Sequence, residues 1–128
     1  MYIKIEDLEV YKIAMEIGEE IWTMTKNWNS FEKNTLGNQI TRAADSIAMN
    51  ISEGYGRFHF KENKNFCYIA RGSAFETKTA LQKAFNRQLI TQEQYDVLIS
   101  KLKRLHFMLN QYIKSIGTAA MTSTNEPS

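Results

Sequence analysis

Cysteine, proline and histidine are nearly missing from this chain of 128 residues, which has one Cys, one Pro and two His. A lone cysteine, Cys67, excludes an internal disulfide and any cysteine-rich metal site. Within a helical segment it reads as a small buried hydrophobe, not a reactive thiol. His59 and His106 share no ligand spacing with Cys67 or with carboxylates, so neither a metal centre nor any other cofactor is expected. With only six glycines besides the single proline, long uninterrupted elements are favoured. No apolar run approaches the ~20 residues needed to span a bilayer, so no membrane partner is expected. Glu6, Asp7 and Glu9 interrupt the start, where a secretory signal would be apolar. The expected compartment is the cytoplasm, where the mid-helix triplet Asn50-Ile51-Ser52 is a chance match to a glycosylation site. Gly54-Tyr55-Gly56 follows a helix instead of opening one, so it is no phosphate loop, and no Ser-His-Asp arrangement can be argued. An enzyme is therefore not expected.

What the chain does have is helical periodicity. Its length suits one domain, and 43% hydrophobic residues supply a core. Four amphipathic segments are predicted, at about 5–26, 34–55, 61–87 and 92–116. Together they make an all-α domain over residues 1–117, an up-down-up-down antiparallel four-helix bundle. Residues 118–128 are small and polar and predict a disordered tail. The first helix carries an inner stripe of Val10, Ile13, Ala14, Ile17, Ile21 and Met24. A second apolar group, Leu8, Tyr11, Met15, Gly18 and Trp22, makes it wider than the stripe of about 100° that a core needs. The surplus at Tyr11, Met15 and Trp22 predicts self-association.

The second helix is predicted to end at Gly54 and Gly56 as C-terminal caps. On the third, Phe66, Ile69, Ala70, Ser73, Thr77, Ala80, Leu81 and Ala84 form the expected inner face. Thr91 with Gln94 is a capping box for the fourth. There Leu98, Leu102, Leu105, Leu109, Tyr112 and Ile116 alternate at steps of four and three, the seam of a bundle.

Polar residues are ordered too. Arg42, Ser46, Asn50, Glu53 and Arg57 recur along one line of the second helix, beside its apolar stripe. If helices two and three are antiparallel about a turn near Phe58–Phe60, Arg42 stands opposite Glu76, and Ser46 opposite Gly72 and Ser73. A partly buried Arg42–Glu76 ion pair, a close approach at Gly72 and an Asn50 amide bonded across the seam would then form a structural lock. Glu53 and Glu76 are too far apart along the helices to share a proton.

Charge is uneven although its net value is only +2. Residues 1–34 hold four Lys and seven acids, whereas Val97–Gly117 holds four bases, including Lys103 and Arg104, and no acid. Arg57, His59, Lys61 and Lys64 cluster at the turn between helices two and three with Tyr55, Phe58 and Phe60. Cations hold phosphates and exposed rings stack on bases, so this turn and the basic fourth helix are candidate nucleic-acid contacts. The basic end could also attract an acidic partner or the acidic first helix of a neighbouring subunit, or be simply a solvated helix face.

The order Gln39-Ile-x-Arg42-Ala-Ala-x-Ser46-Ile-x-x-Asn50-Ile-x-Glu53-Gly54-x-Gly56-Arg57, then Ile69-Ala70-x-Gly72-Ser73-x-x-Glu76, resembles the four-helix bundle proteins encoded in intervening sequences of bacterial large-subunit rRNA genes. Leu8-Glu-Val-Tyr-Lys-Ile-Ala14 is similar too, and the likeness covers about Ile3 to Gly117. Ala48 stands where that family often has proline, which should make the second helix more regular here. The resemblance implies a homopentameric ring and kinship with accessory proteins of diversity-generating retroelements, which bind a reverse transcriptase and its template RNA. It supplies no catalytic residue. The function expected is an oligomeric, non-catalytic bundle that binds structured RNA or a ribonucleoprotein. A retroelement accessory subunit and an assembly module without nucleic acid are the alternatives.

Overall fold

The computed structural model describes residues 3–118. Four long helices dominate: α1 (Glu9–Thr25), α2 (Asn38–Tyr55), α3 (Phe60–Asn86) and α4 (Gln92–Ser115). Each packs against its neighbour in sequence, and α1 closes the square on α4. Contact heights run in opposite senses between neighbours, Thr25–Thr41 with Gly18–Asp45, Gly54–Phe66 with Ser46–Ser73, and Asn63–Tyr112 with Phe85–Tyr95, so each helix runs antiparallel to the next and α4 is antiparallel to α1. None of the described helices is long and apolar enough to cross a membrane.

The core follows the seams. Val10, Ile13, Ala14, Ile17, Ile21 and Met24 of α1 are all buried, as are Leu98, Leu102, Leu105, Leu109, Tyr112 and Ile116 from α4 and the residue after it. On α3 the buried line is Asn63, Cys67, Ala70, Ala74, Thr77, Leu81 and Ala84, again at alternating steps of four and three. Ile69, expected inside, is 52% exposed, while Asn63, Cys67 and Ala74 take core positions. Burial pushes the Cys67 thiol up to about 12, which leaves it protonated and unreactive.

Helix ends differ from expectation in instructive ways. Ile5–Asp7 form a separate 3-10 turn, and Leu8 is extended, so α1 begins only at Glu9. The polypeptide turns helical again at Ser30, because the Asn29 side chain accepts from the Glu32 amide at 2.9 Å. A π turn over Lys33–Gly37 leads into α2. Ala48 sits inside α2, which runs through it without a break. Gly54 lies within the last turn and Gly56 has φ −79°, so neither is a left-handed cap. Among the described residues, Gly117 (φ 88°) and Gln88 (φ 62°) alone have positive φ. Gln88 ends α3: its amide bonds the Phe85 carbonyl and the Leu89 amide bonds that of Ala84, a Schellman motif with glutamine in the usual glycine position. The Thr91–Gln94 capping box opens α4 with both reciprocal bonds present, at 2.9 and 3.1 Å. Disorder was expected from 118 onward. Thr118 donates to the Ser115 carbonyl at 2.7 Å, and the rest of that tail lies outside the described residues.

Candidate nucleic-acid interface

The polar line of α2 becomes a local network. Ser46 Oγ and Ser73 Oγ share a hydrogen bond of 2.9 Å across the α2–α3 contact. Asn50 does not reach across; its amide turns back on its own helix and donates to the Ser46 carbonyl and hydroxyl. Thr77 donates to the Ser73 carbonyl at 2.8 Å. Arg42 and Glu76 line one groove with Ser46 and Ser73, but both are exposed and no ion pair joins them among the described residues. Solvation explains this: two exposed, flexible side chains gain little by pairing in water. Gly72 marks no close approach, since nothing lies within 4 Å of where its Cβ would be. That role belongs to Gly54, whose Cβ would meet the Asn63 carbonyl oxygen and Phe66 Cβ at 2.9 Å each.

The turn residues split into two groups. Arg57 pairs with Glu53 at 2.9 Å and lies over the Phe66 ring, on the α2 side of α3. His59 caps the start of α3 with its backbone extended and meets Phe58 edge-on. Lys61 and Lys64 instead line a groove of about 450 Å³ with Asn65, Tyr68 and Gly117, at the α3–α4 end.

From that groove a longer feature runs along the shoulder of α3 that faces α4. Lys64, Tyr68, Arg71, Phe75 and Lys78 recur at steps of four and three, alternating cation and ring. Their opposite numbers on α4 are Lys114, Asn110, Phe107 and Lys103, with His106 beside them. Arg71 donates to Asn110 at 2.8 Å and stands 5.1 Å from the centre of the Tyr68 ring. Phe75 packs on His106 with ring centres 4.5 Å apart. Tyr68, Phe75 and Phe107 remain 45%, 55% and 64% exposed. Burial first, then the charges of Lys78 and Arg71, holds His106 below the usual imidazole range. No acid occurs on this shoulder between Lys64 and Lys78, nor anywhere in α4 between Lys103 and Lys114; Asp96 lies two turns beyond. Arg104 is placed apart, one helical step from Lys101, whose ammonium holds Glu16 and Glu20 of α1.

Arg71, Lys78, Tyr68, Phe75 and Phe107 are the residues that reading the chain in one dimension misses. The signal was present as a cation–aromatic alternation at heptad spacing on α3, but it acquires meaning only when α4 lies alongside.

The other side of the molecule contrasts with this. Exposed Met15, Trp22 and Met49 of α1 and α2 lie among carboxylates, where burial and neighbouring Glu19 raise the Asp45 pKa. A concavity of about 760 Å³ between the end of α1 and the start of α4 includes Glu19, Glu20 and Glu93 in its lining, a poor match to phosphate. The described residues contain no group of three or more His, Cys, Asp or Glu able to hold a metal ion.

Fold and face together define an antiparallel four-helix bundle with one basic, aromatic side. The chain belongs to the 23S rRNA-intervening sequence protein family, whose model matches residues 6–111. Among solved structures it is similar to a protein of unknown function from the S23 ribosomal protein family of Bacteroides thetaiotaomicron. That match has 26% identity and a TM-score of 0.74, and covers 82% of this chain and 98% of the other. Comparison with curated proteins found no match.

Proposed function

We propose that this protein is a non-catalytic, cytoplasmic homo-oligomer that binds structured RNA, alone or within a ribonucleoprotein, through the α3–α4 face. The observation that carries the reading is the acid-free run of Lys64, Arg71, Lys78, Lys103 and Lys114 with exposed rings between them. Lysine and arginine held in a row release counterions from a phosphate backbone, and this term supplies most sequence-independent affinity. The family is named for intervening sequences of 23S rRNA and the structural relative for a ribosomal protein family, and an RNA partner suits both names. The test is fluorescence polarisation with labelled RNA over a salt series. Affinity should fall steeply with salt, and Arg71→Glu with Lys78→Glu should flatten the slope by about two phosphate contacts. Undetectable binding at ~50 mM salt would remove this reading. Recovery of binding only after a reverse transcriptase is added would favour the accessory-subunit role.

Self-association rests on the opposite side. Met15 and Trp22 are 43% and 56% exposed, Tyr11 is half-buried, and Met49 adds to the same apolar surface. Covering these residues with a second copy would bury area that a monomer leaves wet. A ring of five is what the family resemblance implies. Light scattering that gives a monomer at micromolar concentration would overturn the oligomer.

A further inference from the structure

The α3–α4 face carries more than charge, and the kind of RNA follows from the rest. A duplex presents phosphates and the shallow minor groove, and proteins that read it rely on its shape and 2′-hydroxyls, not on rings. Unpaired strands differ: each base offers a free π-face, and aromatic side chains in a basic groove stack on it. Among the described residues this face is an antiparallel pair of helical ridges. It has three exposed rings where a duplex reader would need none.

Two of those rings, Tyr68 and Phe75, are held in place. Arg71 is fixed by Asn110 and lies against Tyr68; Phe75 is set against His106. Each ring of α3 also has a cation one helical turn away on either side, Lys64 and Arg71 for Tyr68, Arg71 and Lys78 for Phe75. A single strand carries one base between successive phosphates, and the rise of about 10.5 Å from Tyr68 to Phe75 at 1.5 Å per residue suits every second base. From Lys64 to Lys78 the helix rises about 21 Å at 1.5 Å per residue, enough for on the order of four extended nucleotides.

We propose that Tyr68 and Phe75, aided by Phe107, are stacking platforms for unpaired RNA bases, with Lys64, Arg71 and Lys78 holding the intervening phosphates. This rests on the RNA-binding reading and narrows it to loops, bulges and single-stranded ends. The experiment uses the full chain and a ~20-nucleotide RNA without self-complementarity, offered alone and annealed to its complement, at ~50 mM salt. The single strand should bind at least tenfold more tightly. Tyr68→Ala with Phe75→Ala should lose about tenfold or more on the single strand and little on the duplex, keeping the salt-dependent remainder. Phe31→Ala, at a ring 76% exposed and outside α3 and α4, should change neither. Equal affinity for both forms, with or without the rings, overturns the stacking role and leaves RNA binding intact; no affinity for either form overturns both. A double variant that alters the oligomeric state but not RNA affinity assigns the rings to a contact between copies and also overturns the proposal.

Discussion

The two shoulders of α3 are built on different plans. Toward α2 the contact is close: Gly54 brings the backbones together, and Ser46 and Ser73 share a short hydrogen bond. Toward α4, long side chains fill the angle between helices, and Tyr68, Arg71, Phe75 and Lys78 stand on its rim. One helix thus spends its small residues on packing and its large ones on a surface. A substitution on the first shoulder should be felt as stability, and one on the second as binding.

Gly54→Ala should break the first shoulder most severely. Its Cβ would fall 2.9 Å from the Asn63 carbonyl oxygen and from Phe66 Cβ, and neither atom can swing aside as a side-chain tip can. Overpacking of this kind costs about 3 kcal/mol, readable as a shift in urea midpoint. A loss below about 1 kcal/mol would mean that α2 and α3 separate without penalty.

Asn63→Ala comes next. Asn63 is 2% exposed and donates to the Tyr112 hydroxyl at 3.4 Å; burial pushes that phenol's pKa up and keeps it protonated. Removing the amide strands the hydroxyl in the core and should cost about 2 kcal/mol. Tyr112→Phe in the same background should then add little, because the pair is already broken.

How far this was legible in the sequence depends on what each core position carries. The phase of α4 is plain because Leu98, Leu102, Leu105 and Leu109 are all aliphatic and buried. That of α3 is obscured because Asn63, Cys67, Ala74 and Thr77 hold core positions with small or polar groups, while Ile69 lies outside. The misplaced phase carried Gly72 with it, so a glycine on the wet side was read as the close approach. Ser46 opposite Ser73 was readable from antiparallel register alone. The Arg42–Glu76 pair was not, since register gives height along a helix and not burial. Lys64 and Lys103 were legible as candidate contacts, but Arg71 and Lys78 eluded a linear reading because cations seven residues apart do not look like a cluster.

Gly72→Ala sharpens the same contrast in the opposite direction. With open space around it, a methyl group meets nothing, and alanine is the better helix former. Stability should rise by about 1 kcal/mol by thermal or urea unfolding. Gln88→Gly should give a smaller gain, about 0.5 kcal/mol, by relieving the left-handed backbone at the end of α3. Loss of stability in either variant would show that the side chain removed or added has a contact after all.

The smallest effect belongs to His106, where stability and binding meet. Its folded-state pKa lies below the unfolded value, chiefly through burial and then through Lys78 and Arg71. The unfolded chain therefore takes up the proton first as pH falls. Above the ordinary imidazole range the residue is neutral in both states and costs nothing; below it, folding must exclude a proton, and stability declines. Comparing wild type with His106→Gln by urea unfolding between about pH 7.5 and 5.5 isolates this part from the carboxylates, and the variant should lose less stability on acidification. Bound phosphates would oppose the repulsion from Lys78 and Arg71, so saturating RNA should shrink that difference. If RNA binds yet leaves it unchanged, the phosphates lie away from Lys78 and Arg71, and the strand follows another path across the bundle.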